Sequence, residues 1–117
     1  MFIDGGSASA ADILAGALGQ HDYATLMGQT SFGKGSVQEL VPLPSGAALK
    51  VTIARWLTPD GTSISKSGIT PDYAVVRTPE QRIAGVDPQL DAAIAYLEKG
   101  TIPVVATTTT ATSTPAR

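Results

Sequence analysis

Apolar and polar positions follow two rhythms along this chain of 117 residues, one helical and one extended. Ala10, Ile13, Leu14, Ala17 and Leu18 recur at the spacing of one helix face and predict a helix over 10–19, ended by Gly19, Gln20, His21 and Asp22. Ahead of it, Phe2-Ile3 has strand character but is too short for a whole core strand. It reads as the tail of a longer one, turned by Asp4-Gly5-Gly6. Residues 24–27 read as a short buried strand, and 29–35 as a loop with Gly28, Gly33 and Gly35 around it. The stretches 37–43 and 47–57 are extended, and Pro44-Ser45-Gly46 between them predicts a hairpin. Leu49, Val51, Ile53 and Leu57 alternate onto one face, and Pro59-Asp60-Gly61 closes the second strand with a turn. A loop over 68–72 leads into a last short strand, 73–76. Asp87 and Pro88 then stand as N-cap and first residue of a final helix. Leu90, Ala93, Ile94 and Leu97 are its expected core stripe and Gly100 its stop. Residues 101–117, rich in Thr, Ala and Pro, read as a flexible tail, so the predicted domain is 1–100.

The order strand, turn, helix, strand at the start is a βαβ unit, whose two strands should be parallel. The turn holding Gly5-Gly6-Ser7-Ala8-Ser9 and the loop from Gly28 to Gly35 then leave the carboxyl ends of neighbouring strands, on the sheet edge where α/β folds build sites. Ser9 and Lys34 can therefore meet although 25 positions separate them.

Composition narrows the chemistry. A formal charge of −2 and no basic cluster argue against nucleic acid as a partner. No apolar run approaches the about 18 residues of a membrane-spanning helix. Met1-Phe2-Ile3 runs into Asp4-Gly5-Gly6 without the charged and apolar regions of a secretory signal. The absence of cysteine removes disulfides, thiolate catalysis and cysteine-based zinc sites, and one histidine cannot build a His-rich metal site.

Ser7 and Ser9 both precede the first helix, where free N–H groups and the helix dipole suit an oxyanion. Ser9-Ala10-Ala11-Asp12 also fits a helix-capping box, and the pattern alone does not choose between the two serines or between capping and catalysis. Lys34, between two glycines, can act as a base only when its amine is neutral, and is otherwise a solvated surface lysine. Gln38, four positions on, shares its face in an extended segment and can orient that amine. A Ser–His arrangement fails on distance: Ser9 and His21 lie at opposite ends of one helix, about 18 Å apart at 1.5 Å per residue. Gly28-Gln29-Thr30-Ser31-Phe32-Gly33-Lys34 matches a phosphate-binding loop up to its lysine. Gly35 then stands where Ser or Thr should hold magnesium, and an extended segment follows where a helix is needed, so no nucleotide is expected.

GGSASAADILAGAL (5–18), GQTSFGKGSVQELVPLPSG (28–46), TIARWLTPDGTSI (52–64), GITPD (68–72) and DPQLDAAIAYL (87–97), in this order, resemble the carboxyl-terminal processing peptidases, or tail-specific proteases, over nearly the whole chain to about residue 99. The resemblance implies an α/β fold, part of a ClpP/crotonase-like protease core with a βαβ unit, a hairpin and a C-terminal helix. It implies Ser9 rather than Ser7 as nucleophile, Lys34 as general base, Gln38 as third member and the Ala10 N–H as an oxyanion donor. It implies protein or peptide substrates cut near their C-termini, no cofactor or metal, and a location outside the cytoplasm, in periplasm or cell envelope. Family members also carry a PDZ domain and earlier core strands. Those are expected upstream of this chain and would supply the second oxyanion donor and much of the substrate groove. This chain alone is expected to be weak or inactive. A non-catalytic truncated module that binds peptides or partners is the alternative, and a strand edge left bare would allow homo-oligomers.

Overall fold

The computed structural model describes residues 1–101. Strand β1 (Phe2–Ile3) leads to helix α1 (Ala10–Gln20) and strand β2 (Met27–Gly28). A hairpin of β3 (Ser36–Pro42) and β4 (Ala48–Arg55) follows, then β5 (Tyr73–Ala74), α2 (Pro79–Ile83) and α3 (Pro88–Lys99). The predicted tail falls, but for Thr101, outside the described residues.

The predicted βαβ unit is present. β1 and β2 are parallel, with Phe2 opposite Met27 and Ile3 opposite Gly28. β5 adds to the other side of β2, also parallel, giving the order β1-β2-β5. The strands predicted over 24–27 and 73–76 shrink to two residues each. β1 offers only two residues to pair, and the flanking bonds Met27 N–H to Met1 O (2.9 Å) and Gln29 N–H to Ile3 O (2.9 Å) complete the ladder.

Strand alternation sends neighbouring residues to opposite faces, and the core divides accordingly. Ile3 and Leu26 pack with Ala15 of α1 and with Ile69. Met27 and Val75 pack on the other face with Ala92, Ala93 and Tyr96 of α3. The sheet is thus covered by one helix on each side.

Both helices turn inward a face that differs from most of the predicted one, although Ala93 of the α3 stripe does pack on the core. In α1 the buried residues are Asp12, Ala15 and Gly16, whereas Leu14 of the expected stripe is half exposed. In α3 the expected Leu90, Ile94 and Leu97 are exposed, Leu97 by 83%, and Ala92 faces the sheet. The physical reason is close approach. A Cβ on Gly16 would lie 3.1 Å from Thr58 Cγ2, and one on Gly19 2.9 Å from Leu26 Cδ1. On α3, polar anchors fix the rotation: Gln89 Nε2 donates to Val75 O (2.8 Å), and Tyr96 OH and Thr25 Oγ1 share a hydrogen bond (3.1 Å).

The hairpin forms as predicted, with a register shift between Val37 and Gln38. Its residues from Gln38 onward are exposed, Leu40, Leu49 and Ile53 by more than half. The Pro59-Asp60-Gly61 turn also forms. Asp60 accepts hydrogen bonds from Thr58 Oγ1 and Thr62 N–H, which hold its carboxyl at about 2, below the usual range. α3 is capped as its sequence predicts: Asp87 Oδ1 accepts from Leu90 N–H (3.1 Å), and Gly100 adopts a left-handed conformation. Asp87 Oδ2 also pairs with Arg77 at 2.8 Å. α2 escaped the sequence reading, although Thr78, Pro79 and Gln81 form a full capping box. It buries no residue, so it carries no hydrophobic signal.

Two glycines make a test of the packing around loop 29–35. Gly33 has φ +78°, and a Cβ there would lie 2.4 Å from Gly68 N and 2.6 Å from Ile64 O. Gly46, in the hairpin turn, has φ +82° with open space around it. Both Gly→Ala changes meet the same backbone penalty, about 1–3 kcal/mol, but only Gly33→Ala also drives two backbone segments apart. Urea unfolding should therefore show Gly33→Ala clearly less stable than Gly46→Ala. Equal midpoints would mean that the Gly33–Gly68 contact does not hold the loop.

Candidate active site

The turn after β1 is organised by Asp4. Its Oδ1 accepts from Gly6 N–H (2.9 Å), Ser7 N–H (3.0 Å) and the Ser7 hydroxyl (3.2 Å). The Ser7 oxygen in turn accepts from Asp4 N–H (3.1 Å). Ser7 is therefore a turn residue with its hydroxyl engaged on both sides. Ser9 differs. It sits at the N-cap of α1 with φ 55° and ψ −112°, makes no side-chain cap and is exposed. The expected Ser9–Asp12 capping box is absent. A capping serine uses an extended backbone, and Ser9 instead holds a left-handed φ that few residues other than glycine adopt.

Asp12, the other half of the expected box, turns inward and is fully buried. It accepts from Ser31 Oγ, from Gly33 N–H (3.3 Å) and from Lys34 N–H (3.1 Å). Three donors from one loop thus satisfy a carboxylate that would otherwise be costly to bury. The loop is stitched further. Phe32 N–H donates to Ser7 O (2.8 Å), Ser31 and Ile69 exchange two hydrogen bonds (2.8 and 3.0 Å), and Lys66 N–H donates to Gly33 O (2.9 Å). The two loops that the topology sends to one sheet edge are therefore bonded to each other.

Asp12 and Ser31 were missed as site residues. One signal was available: Asp12 shares a helix face with Ala15, Gly16 and Gly19, small residues that mark close packing rather than solvent.

Lys34 itself is exposed and lines a cavity of about 410 Å³. Gln38 lies on β3 opposite Thr52, and its Nε2 donates to Thr52 Oγ1 (3.3 Å). Ala10 opens α1 beside Ser9. Among the described residues no hydrogen bond joins the Ser9 hydroxyl, the Lys34 amine and the Gln38 side chain to one another, and no group of three or more His, Cys, Asp or Glu could hold a metal ion. The Lys34 loop is fastened to the start of α1 through Asp12, while the Ser9 and Lys34 side chains are left open and Gln38 is turned to Thr52. His21 caps the far end of α1, with its ring 6.3 Å from that of Tyr23. The segment after Lys34 is a strand, as predicted, and not the helix of a phosphate-binding loop.

Known proteins share this arrangement of segments. A carboxy-terminal-processing protease of Bartonella bacilliformis is 51% identical over 87 residues, covering 74% of this chain and 20% of the relative. Over a longer stretch, a chloroplastic carboxyl-terminal-processing peptidase 2 of Arabidopsis thaliana is 38% identical across 105 residues, 86% of this chain and 20% of the relative. A solved photosystem II D1 C-terminal processing protease superposes with a TM-score of 0.61 at 40% identity, covering 64% of this chain and 19% of that one. The chain spans about a fifth of the length of these relatives, and its fold is that of part of such a protease core. A sequence model of peptidase family S41 matches residues 1–75, and the chain belongs to that family.

Proposed function

We propose that this chain carries the reacting residues of a serine-type endopeptidase acting near protein C-termini, with Ser9 as nucleophile, Lys34 as general base and Gln38 orienting the lysine. The carrying observation is the pairing of an uncapped Ser9 at the start of α1 with a Lys34 loop fastened to that same helix through Asp12. Ser7 is a poor rival because both sides of its hydroxyl are engaged by Asp4. Neutral Lys34 takes the Ser9 proton as Oγ attacks the scissile carbonyl. The Ala10 N–H, at the positive end of α1, faces the developing oxyanion. Lys34 then gives its proton to the leaving amine, and an acyl-enzyme remains. Lys34 next takes a proton from water as the water attacks the acyl group, and returns it to Ser9 Oγ as the acid product leaves. Substrates are proteins or peptides, and no cofactor takes part. The resemblance supports a location outside the cytoplasm for this work.

The family resemblance supports a second oxyanion donor and much of the groove being supplied by core segments other than those in residues 1–117. Losing one donor costs on the order of 10²–10³ in rate, so this chain alone should react slowly. The open side chains of Ser9 and Lys34, and the turn of Gln38 to Thr52, also favour a second reading, a non-catalytic module that binds peptides without cutting them. A fluorophosphonate probe separates the two. Slow modification of Ser9, rising with pH and lost in Ser9→Ala and Lys34→Ala, supports the peptidase reading. Modification that persists in Ser9→Ala would sink it.

Two further variants test roles. His21→Ala should label at the unchanged rate with the same pH profile, since His21 caps the opposite end of α1; a folded variant that no longer labels would contradict a lysine base. Asp12→Asn replaces one acceptor oxygen by a donor that faces the N–H of Gly33 or Lys34. It should cost on the order of 2–3 kcal/mol in thermal unfolding and slow Ser9 labelling at temperatures where the chain is still folded. Unchanged labelling in a destabilised but folded protein would confine Asp12 to stability.

A further inference from the structure

The cavity beside Lys34 is lined by Ser36, Arg55, Ser63, Ser65 and Lys66 as well as by Lys34 itself. Three of the chain's eight lysines and arginines thus meet at one cavity, on a chain whose net charge is −2. No aspartate or glutamate lines it. Among the described residues neither Arg55 nor Lys66 has an acidic partner, the ion pair present being Arg77–Asp87.

Two independent observations mark the same wall. Ser65 Oγ is shut off from solvent and has no hydrogen-bond partner among the described residues, which is uncommon for a native hydroxyl. Lys66 holds φ 70°, a strained conformation for a residue with a Cβ, kept in place by its N–H bond to Gly33 O. Strain of this kind gathers at ligand-binding sites. Like cations brought together without a counter-charge repel one another, and an anion in the cavity would relieve that repulsion.

We propose that this cavity is a carboxylate-binding subsite for the peptide substrate, with Arg55 and Lys66 supplying the charge. The proposal rests on the peptidase reading above for the identity of its ligand. Because Lys34 forms part of the cavity wall, a peptide held at Lys34 for hydrolysis lies within reach of it. Thr52, which also lines the cavity, is the residue that Gln38 touches. An acidic side chain or the free C-terminus of the substrate presents the carboxylate, and a free inorganic anion offers similar chemistry.

The test measures binding and no turnover, so its failure is distinct from failure of Ser9 labelling. It uses the full chain carrying Ser9→Ala. Calorimetric titration gives affinities, and fluorescence of the one tryptophan, Trp56, reports on the site from the residue after Arg55. The probes are a short alanine–serine peptide amidated at its C-terminus, the same peptide with a central glutamate, the same peptide with a free C-terminal carboxylate, and inorganic phosphate. At least one carboxylate peptide should bind about tenfold more tightly than the neutral one, and phosphate should compete with it. The advantage should vanish in the Arg55→Gln/Lys66→Gln double variant and persist in Lys66→Arg, with circular dichroism confirming the fold. Equal binding of all three peptides, phosphate binding with no preference among the peptides, or a preference that survives the double variant would each overturn the proposal.

Discussion

The buried carboxylate of Asp12 is the constraint on which the arrangement around Ser9 and Lys34 depends. Among the described residues it has no cationic partner, and its burial is tolerated because one loop delivers a hydroxyl and two backbone N–H groups to its oxygens. The dependence runs both ways. The loop from Gln29 to Gly35 has no regular structure of its own, and its Gly33 and Lys34 amides find in Asp12 the acceptors that a strand or helix would have provided. Fixing Lys34 N–H to the first turn of α1 sets the distance between the Lys34 backbone and Ser9. Glycine at 33 lets the chain pass where Gly68 and Ile64 leave no room for a side chain.

The same economy of space explains why small residues face inward. α1 approaches the sheet and the 58–69 segment closely enough that Gly16 and Gly19 have side chains of Thr58, Ile69 and Leu26 at contact distance from where a Cβ would be. α3 lies over Met27 and Val75 on alanines. Close approach brings Asp12 within reach of the Lys34 loop, which a helix held off by leucines would not allow. The consequence is that Leu14, Leu90, Ile94 and Leu97 point outward, and the domain gains little hydrophobic stabilisation from them.

Features governed by neighbouring residues were legible in the sequence. The extent of α1, the hairpin with its Pro44-Ser45-Gly46 turn, and the Asp87-Pro88 and Gly100 ends of α3 follow from local chemistry, and the parallel βαβ order follows from chain connectivity. Which face of each helix is buried was not legible, because the largest residues normally mark the core and here they do not. Ser-x-x-Asp fits a cap because that pattern serves two purposes, and only the loop 19 to 22 residues later decides which one Asp12 serves. The separation of Ser7 from Ser9 came from the family resemblance. Its physical counterpart is the Asp4 turn that occupies the Ser7 hydroxyl, a contact that spacing alone does not reveal.

The hydrogen-bonded lattice and the open side chains make a division of labour. The groups held in place here belong to the backbone: the start of α1 and the loop bonded to Asp12. The amine of Lys34 and the amide of Gln38 are on exposed residues. Long side chains at the surface lose conformational freedom when they are held in one geometry. That cost is met only by further contacts, from bound peptide or from more of the protease core. A chain spanning about a fifth of its relatives can thus hold a well-built backbone frame at this sheet edge while the side chains of Ser9 and Lys34 stay without hydrogen-bond partners among the described residues.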